Sequence, residues 1–193
     1  MASERRIEKL KTVLRHRQPD LTVVIENVHD PHNVSAMLRS CDAVGVMEVQ
    51  LIYTDEEFPD IGKKSSASAK KWVARRKFDS VEKCYTALRN EGFKIYATRL
   101  GESSASLYDQ DLTKPVALVF GNEHRGVSDE AAKLADAHVQ IPMMGMIQSL
   151  NVSVACAVCL FEALRQRVAA GMYDQPRLSS RELNALLKKW MVK

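Results

Sequence analysis

The run Pro115-Val-Ala-Leu-Val-Phe120 carries no alternating polar residues and is shorter than an ordinary helix. Such a run is a strand buried on both faces, the pattern of a parallel sheet with helices above and below it. Leu21-Thr-Val-Val-Ile-Glu-Asn27 reads the same way. Further strands are expected over 46–53, 73–78, 93–98 and 138–141. Helical stretches lie between them. Residues 4–17 place Ile7, Leu10 and Leu14 on one face, and 33–44 stops at Gly45. Residues 80–90 align Val81, Cys84, Tyr85 and Leu88 and stop at Gly92. Ser128 caps the next helix, with Asp129 and Glu130 in its first turn. A long helix from Leu150 stops near Gly171, and Ser179 with Glu182 makes a capping-box pattern ahead of Leu183, Leu186, Leu187 and Trp190. Residues 54–70 and 101–114 read as loops. The alternation predicts an α/β fold: a mostly parallel sheet with helices on both faces, and N- and C-terminal helices appended to it.

At 193 residues, 46% of them hydrophobic, the chain is long enough for one domain with a full core. No apolar run reaches the roughly 20 residues that span a bilayer. The start, MASERRIEKLK, lacks an apolar signal core. Cys41, Cys84, Cys156 and Cys159 sit in apolar stretches and read as core residues, so a reduced, cytoplasmic protein is expected. The five histidines show no metal-ligand spacing, and His29 and His32 read as turn residues. Net charge is only +4, but it is uneven. Residues 62–77, GKKSSASAKKWVARRK, hold seven Lys/Arg, no acid, and Trp72. Arg6, Lys9, Arg15 and Arg17 belong to a second basic cluster at 1–20. A solvated surface also carries such charge, but two clusters, one with an aromatic, favour a nucleic acid. The candidate contacts are Arg6, Lys9, Arg15, Arg17, Lys63, Lys64, Lys70, Lys71 and Arg75.

Three segments carry candidate chemistry. Ile141-Pro-Met-Met-Gly145-Met-Ile-Gln-Ser149-Leu150-Asn151-Val-Ser153 joins a strand end to a helix start, with small polar side chains where a helix offers unpaired N–H groups. That arrangement suits a binding site or simply a well-capped core helix. Gly121-Asn-Glu-His-Arg-Gly126 lies between a strand and a helix; it is neither a dinucleotide fingerprint nor a P-loop, so it reads only as a ligand loop at a strand's carboxyl end. Asn33 opens a helix that holds Arg39. The two are about 240° apart around a regular helix, so they share a face only if Asn33 lies outside its regular turns. Arg39 stands among apolar and small residues and, if buried, needs an acidic partner, Glu123 or Asp42. The helix over 150–164 is apolar almost all round. It is covered either wholly within the fold or, on one side, by a second copy of the chain.

Asn33-Val-Ser-Ala-Met-Leu-Arg39, Leu118-Val-Phe-Gly121-Asn-Glu123-His-Arg-Gly126 and Ile141-Pro-Met-Met-Gly145 through Ala155 resemble, in order, the three motifs of the SpoU branch of the SPOUT RNA methyltransferases. Arg17-Gln-Pro-Asp-Leu-Thr22, His29-Asp-Pro-His-Asn33 and the tail from Arg165 to Tyr173 are similar to its TrmH subgroup. Asp30 departs from that subgroup, which often has a basic residue there. The resemblance implies a deep trefoil knot at the C-terminal end of the sheet, a topology the ordinary connection rules would not suggest. It implies S-adenosylmethionine as cofactor, held by Thr98, Gly121, Ile141 and Leu150. It also implies a homodimer joined through the last core helix, and methylation of the 2′-hydroxyl of guanosine-18 in tRNA, with no metal. The implied catalytic set is Arg39, Asn33, Glu123, Ser149 and Asn151. Arg39 would anchor phosphate and stabilise the developing alkoxide, and Glu123 would orient Arg39 or substrate. Proton removal is left to a substrate phosphate or a transiently neutral guanidine. On this reading residues 1–20 form a tRNA-binding extension, 21–170 the methyltransferase domain and 171–193 a helical extension.

Overall fold

The computed structural model describes residues 3–60, 69–101 and 103–192. In chain order the elements are α1 (Glu4–Arg15), β1 (Leu21–Glu26), α2 (Pro31–Ala43), β2 (Glu48–Ile52), α3 (Ala69–Trp72), β3 (Ala74–Phe78), α4 (Val81–Asn90), β4 (Lys94–Thr98), β5 (Ala105–Ser106), β6 (Val116–Phe120), α5 (Asp129–Leu134), β7 (Ala137–Gln140), α6 (Val152–Ala169) and α7 (Ser180–Met191). The strands form one sheet in the order β3-β2-β1-β6-β4-β7-β5, every pair parallel.

The central strands explain their own sequences. Val23 and Ile25 of β1, with Val116, Leu118 and Phe120 of β6, face one core, and Val24, Ala117 and Val119 face the other. Both faces are dry, so polar alternation has no place. On the first face lie Met37, Leu38 and Cys41 of α2 and Cys156, Cys159 and Leu160 of α6. On the second lie Cys84, Tyr85 and Leu88 of α4 and Ala131 and Ala132 of α5. All four cysteines are buried free thiols. β3 is an edge strand whose Arg75 and Lys77 point to solvent, which also guards the edge against pairing with another chain.

α2 starts earlier than the sequence suggests. Asp30 caps it by accepting from the His32 N–H at 2.8 Å, and Pro31 takes the first helical position. Asn33 is therefore inside the regular turns and buried, while Arg39 projects from another face and is exposed. Arg39 makes no hydrogen bond or ion pair with the described residues, so the expected buried pair with Glu123 or Asp42 does not form. Gly45, at φ +87°, ends the helix where a Cβ would meet the His16 carbonyl oxygen at 2.5 Å.

The buried arginines are elsewhere. Arg17 is 1% exposed, donates to the Val46 carbonyl at 2.7 Å and to Asp42 at 2.5 Å, and lies against the Trp190 ring. Arg167, fully buried, donates to Gln18 and Asp20 side chains and to the Asp20, Leu112 and Lys114 carbonyls. α1 and α7 pack on each other through Leu10, Leu14 and Trp190, with Trp72 against Trp190 at 5.0 Å between ring centroids.

Candidate functional site

The carboxyl ends of β1, β4, β6 and β7 open into a cavity of about 700 Å³. That is where parallel sheets place ligands, and its volume suits a small-molecule cofactor. Thr98, Gly121, Ile141 and Leu150 line it together, as do Glu123, Ser149 and Asn151. Thr98 anchors its hydroxyl on the Val119 carbonyl at 2.7 Å. Gly121 is required by close approach, since a Cβ there would collide with the Gly126 carbonyl group and the Val127 nitrogen. Gly126, at φ +71°, returns its N–H to the Asn122 carbonyl at 2.8 Å and closes the loop. Asn122 then ties this loop to β1, donating to the carbonyl of Asn27 at 2.9 Å.

At the mouth of the cavity one hydrogen-bonded chain joins the three candidate segments. Asn33 Nδ2 donates to Glu123 Oε1 at 3.0 Å, and Asn151 Nδ2 donates to Asn33 Oδ1 at 3.1 Å. Asn151 caps α6 with its own oxygen, accepting from the Ser153 N–H at 2.9 Å and its hydroxyl at 2.7 Å. Glu123 also accepts from the backbone N–H of Asp30 at 3.0 Å and of His29 at 3.3 Å, and His29 Nδ1 lies 3.0 Å from Oε2. Burial pushes the Glu123 carboxyl up, but the Asn33 amide and the backbone N–H groups of Glu123, Asp30 and His29 outweigh it and hold the group down at about 2. The half-buried Tyr53 phenol, desolvated and facing that negative charge, is pushed well above its usual range.

Glu123 therefore holds Asn33 and His29, not Arg39. His29 is a residue that sequence reasoning passed over, since no periodicity links two positions 94 apart. Arg39 does not line the cavity. Ser149 lies exposed on its rim. Leu150 is 41% exposed, and Met144, Met146 and Ile147 beside it stand almost free of the fold. On α6 one face is buried, while Val154, Phe161 and Val168 form an exposed apolar stripe. The helix is thus covered within the chain on one side only.

Of the candidate nucleic-acid contacts, Arg6, Lys9, Arg15, Lys71 and Arg75 are exposed and Lys70 is half-buried. Lys63 and Lys64 lie outside the described residues. Arg17 does not share that surface: a guanidinium buried between Asp42 and Trp190 cannot reach a phosphate without unseating the terminal helices.

The SpoU rRNA Methylase family matches residues 20–161. The tRNA (guanosine(18)-2′-O)-methyltransferase of Thermus thermophilus is 49% identical over 191 residues, 99% of this chain and 98% of that one. The Escherichia coli (strain K12) protein of the same name is 42% identical, over 87% of this chain and 73% of its own. The crystal structure of the A. aeolicus TrmH/SpoU tRNA modifying enzyme superposes with a TM-score of 0.91 at 44% identity, covering 97% of this chain and 95% of that one. The SpoU methyltransferase AviRb from Streptomyces viridochromogenes, solved in complex with the cofactor AdoMet, gives a TM-score of 0.69 at 26% identity, over 80% of this chain and 62% of that one.

Proposed function

The chain belongs to the SpoU rRNA Methylase family, and from that premise we propose that it is a tRNA (guanosine-18-2′-O)-methyltransferase using S-adenosylmethionine. The observation that carries the reading is the Glu123–Asn33–Asn151 chain, which gathers the three matched segments at the mouth of one cavity.

The cavity fits the cofactor. Its size, the missing Cβ at Gly121, and a lining that mixes Thr98 with Ile141 and Leu150 suit a nucleoside with a polar tail. Those four residues would hold it, with much of the recognition from loop backbone. Once bound, it supplies an already electrophilic methyl group. The protein's task is to hold the ribose oxygen in line and to manage its proton. Arg39 is exposed and without a partner among the described residues, which leaves its guanidinium available; on our reading it meets a tRNA phosphate and stabilises developing negative charge. Asn33 and Glu123 fix the first turn of α2, and Ser149 and Asn151 order the loop before α6.

α1, the basic segment leading into β3, and α7 grip the tRNA around the methyltransferase core. The loop over 141–151 carries the chain from β7, beyond β4, back to α6 against α2; on our reading that return is threaded as a deep trefoil knot. A second copy of the chain covers the apolar stripe of α6. No helix among the described residues is long and apolar enough to cross a membrane, in keeping with action on tRNA in the cytoplasm.

The test is methyl transfer from labelled cofactor to tRNA transcripts, with the modified position mapped. A 2′-O-methyl group at guanosine-18, lost when guanosine-18 is replaced by another nucleoside, is the expected result. Transfer to another tRNA or rRNA ribose would move the substrate, and binding without transfer would make the chain an inactive RNA-binding relative.

A further inference from the structure

Methyl transfer to a ribose hydroxyl leaves a proton to be placed. Arg39 is a poor acceptor, because a guanidinium stays charged at any physiological pH. Glu123 is poor for a different reason. Its oxygens already take bonds from Asn33, Asp30 and His29, and its carboxyl is held far below the neutral range. An imidazole, which can take up a proton on a ring nitrogen, stands beside it. His29 Nδ1 lies 3.0 Å from Glu123 Oε2. An ionised carboxylate only accepts, so the ring's proton is on Nδ1 and Nε2 keeps its lone pair. The His29 backbone N–H bonds the same carboxylate oxygen, so main chain and ring are pinned to one group. The ring is 49% exposed and lies beside Glu123, which lines the cavity, while His29 itself stands outside that lining.

Resting on the methyltransferase reading, we propose that His29 is the proton acceptor for the substrate hydroxyl, with Glu123 as its orienting partner. The hydroxyl oxygen forms its bond to the methyl carbon as the O–H bond breaks. The electron pair of the carbon–sulfur bond goes to sulfur, which becomes a neutral thioether, and the proton goes to His29 Nε2. The resulting imidazolium is stabilised by Glu123 and gives its proton to solvent from its exposed side. The groups facing His29 are Glu123 and, with its ring centroid at 5.9 Å, His124, both from the loop after β6. On its own segment Asp30 is turned away to cap α2, next to His32. A carboxylate that fixes the tautomer of an imidazole base is a recurring device in proton transfer.

The experiment compares the wild type, His29→Gln and Glu123→Gln. Single-turnover methylation is followed from pH 5.5 to 8.5, with cofactor and tRNA affinities measured in parallel. The His29 ring is also titrated by NMR without cofactor. The wild-type rate should fall on the acid side, where the ring is already protonated and cannot accept. His29→Gln should keep both affinities, lose at least about 100-fold in rate, lose that acid limb, and recover part of the rate with added imidazole. Removing the carboxylate charge in Glu123→Gln should move the ring's measured titration midpoint, and the acid limb should move with it. A His29→Gln rate within about threefold of wild type, or a wild-type profile with no acid limb, would overturn the proposal. So would an acid limb that stays put when the midpoint moves. If His29→Gln misfolds, the last two readouts still decide. A wild type that methylates no tRNA would instead sink the methyltransferase reading.

Discussion

Asn33 and Asn151 meet amide to amide, Nδ2 of Asn151 donating to Oδ1 of Asn33 at 3.1 Å across 118 residues of sequence. Asn33 gives its own Nδ2 to Glu123 at 3.0 Å. With both ends of the amide engaged, the start of α6 is set by the start of α2, and both by the loop after β6.

Asn33→Ala breaks both bonds at once. It leaves Glu123 short of a donor and frees the loop before α6. We expect a loss of about 1–3 kcal/mol in unfolding free energy and weaker cofactor binding. Chemical denaturation and calorimetric titration check both.

Arg39→Ala should behave differently, because the side chain is exposed and unpaired among the described residues. Stability should change by no more than about 0.5 kcal/mol. Methyl transfer should fall at least about 100-fold, with tRNA binding still measurable. Near-normal turnover would remove Arg39 from the catalytic set.

Glu123 ties stability to acid. Its carboxyl is held at about 2, below its ordinary value of 4.5. A depressed carboxyl contributes fully above the ordinary value, and the contribution disappears as pH falls toward the folded one. The wild type should therefore lose more stability between pH 4.5 and 2 than Glu123→Gln, a difference that melting curves across that interval will read.

The basic residues near the N-terminus divide by burial. Charge removal at Arg6, Lys9 or Arg15 should each lower the salt slope of tRNA binding by about one if that side chain meets a phosphate. Asp42→Ala should leave the buried Arg17 unpaired and destabilise the fold by about 3 kcal/mol. Protease should then cut first within α1 or α7.

The sheet was readable in the sequence wherever burial is two-sided. β1 and β6 are apolar because each residue meets a helix layer. β5 has two residues and α3 four, too few for any period to register. Asp30-Pro31 reads as a turn, yet the same pair is a helix cap followed by a first-turn proline. Gly121, Ile141 and Leu150 line one cavity because the two motif-like segments that carry them sit at strand ends on either side of β4. The burial of Arg39 and Arg17 was misjudged for one reason: sequence neighbours do not report which way a side chain faces. Arg39 has apolar neighbours on the opposite side of α2, and Arg17 sits in a basic cluster while its partners, Asp42 and Val46, lie 25 and 29 residues on.

Arg167 has a consequence in time. It clasps Gln18 and Asp20 at the entry to β1 together with Leu112 and Lys114 before β6. A chain emerging N-terminus first presents those acceptors long before residue 167 leaves the ribosome. The central strand pair can form early, but its entrance stays unlatched until the end of α6 arrives, and α7 follows only then. The latch on the central pair thus comes later than the pair itself, and a ribosome stalled within α6 is expected to hold a nascent sheet that is paired but not yet locked.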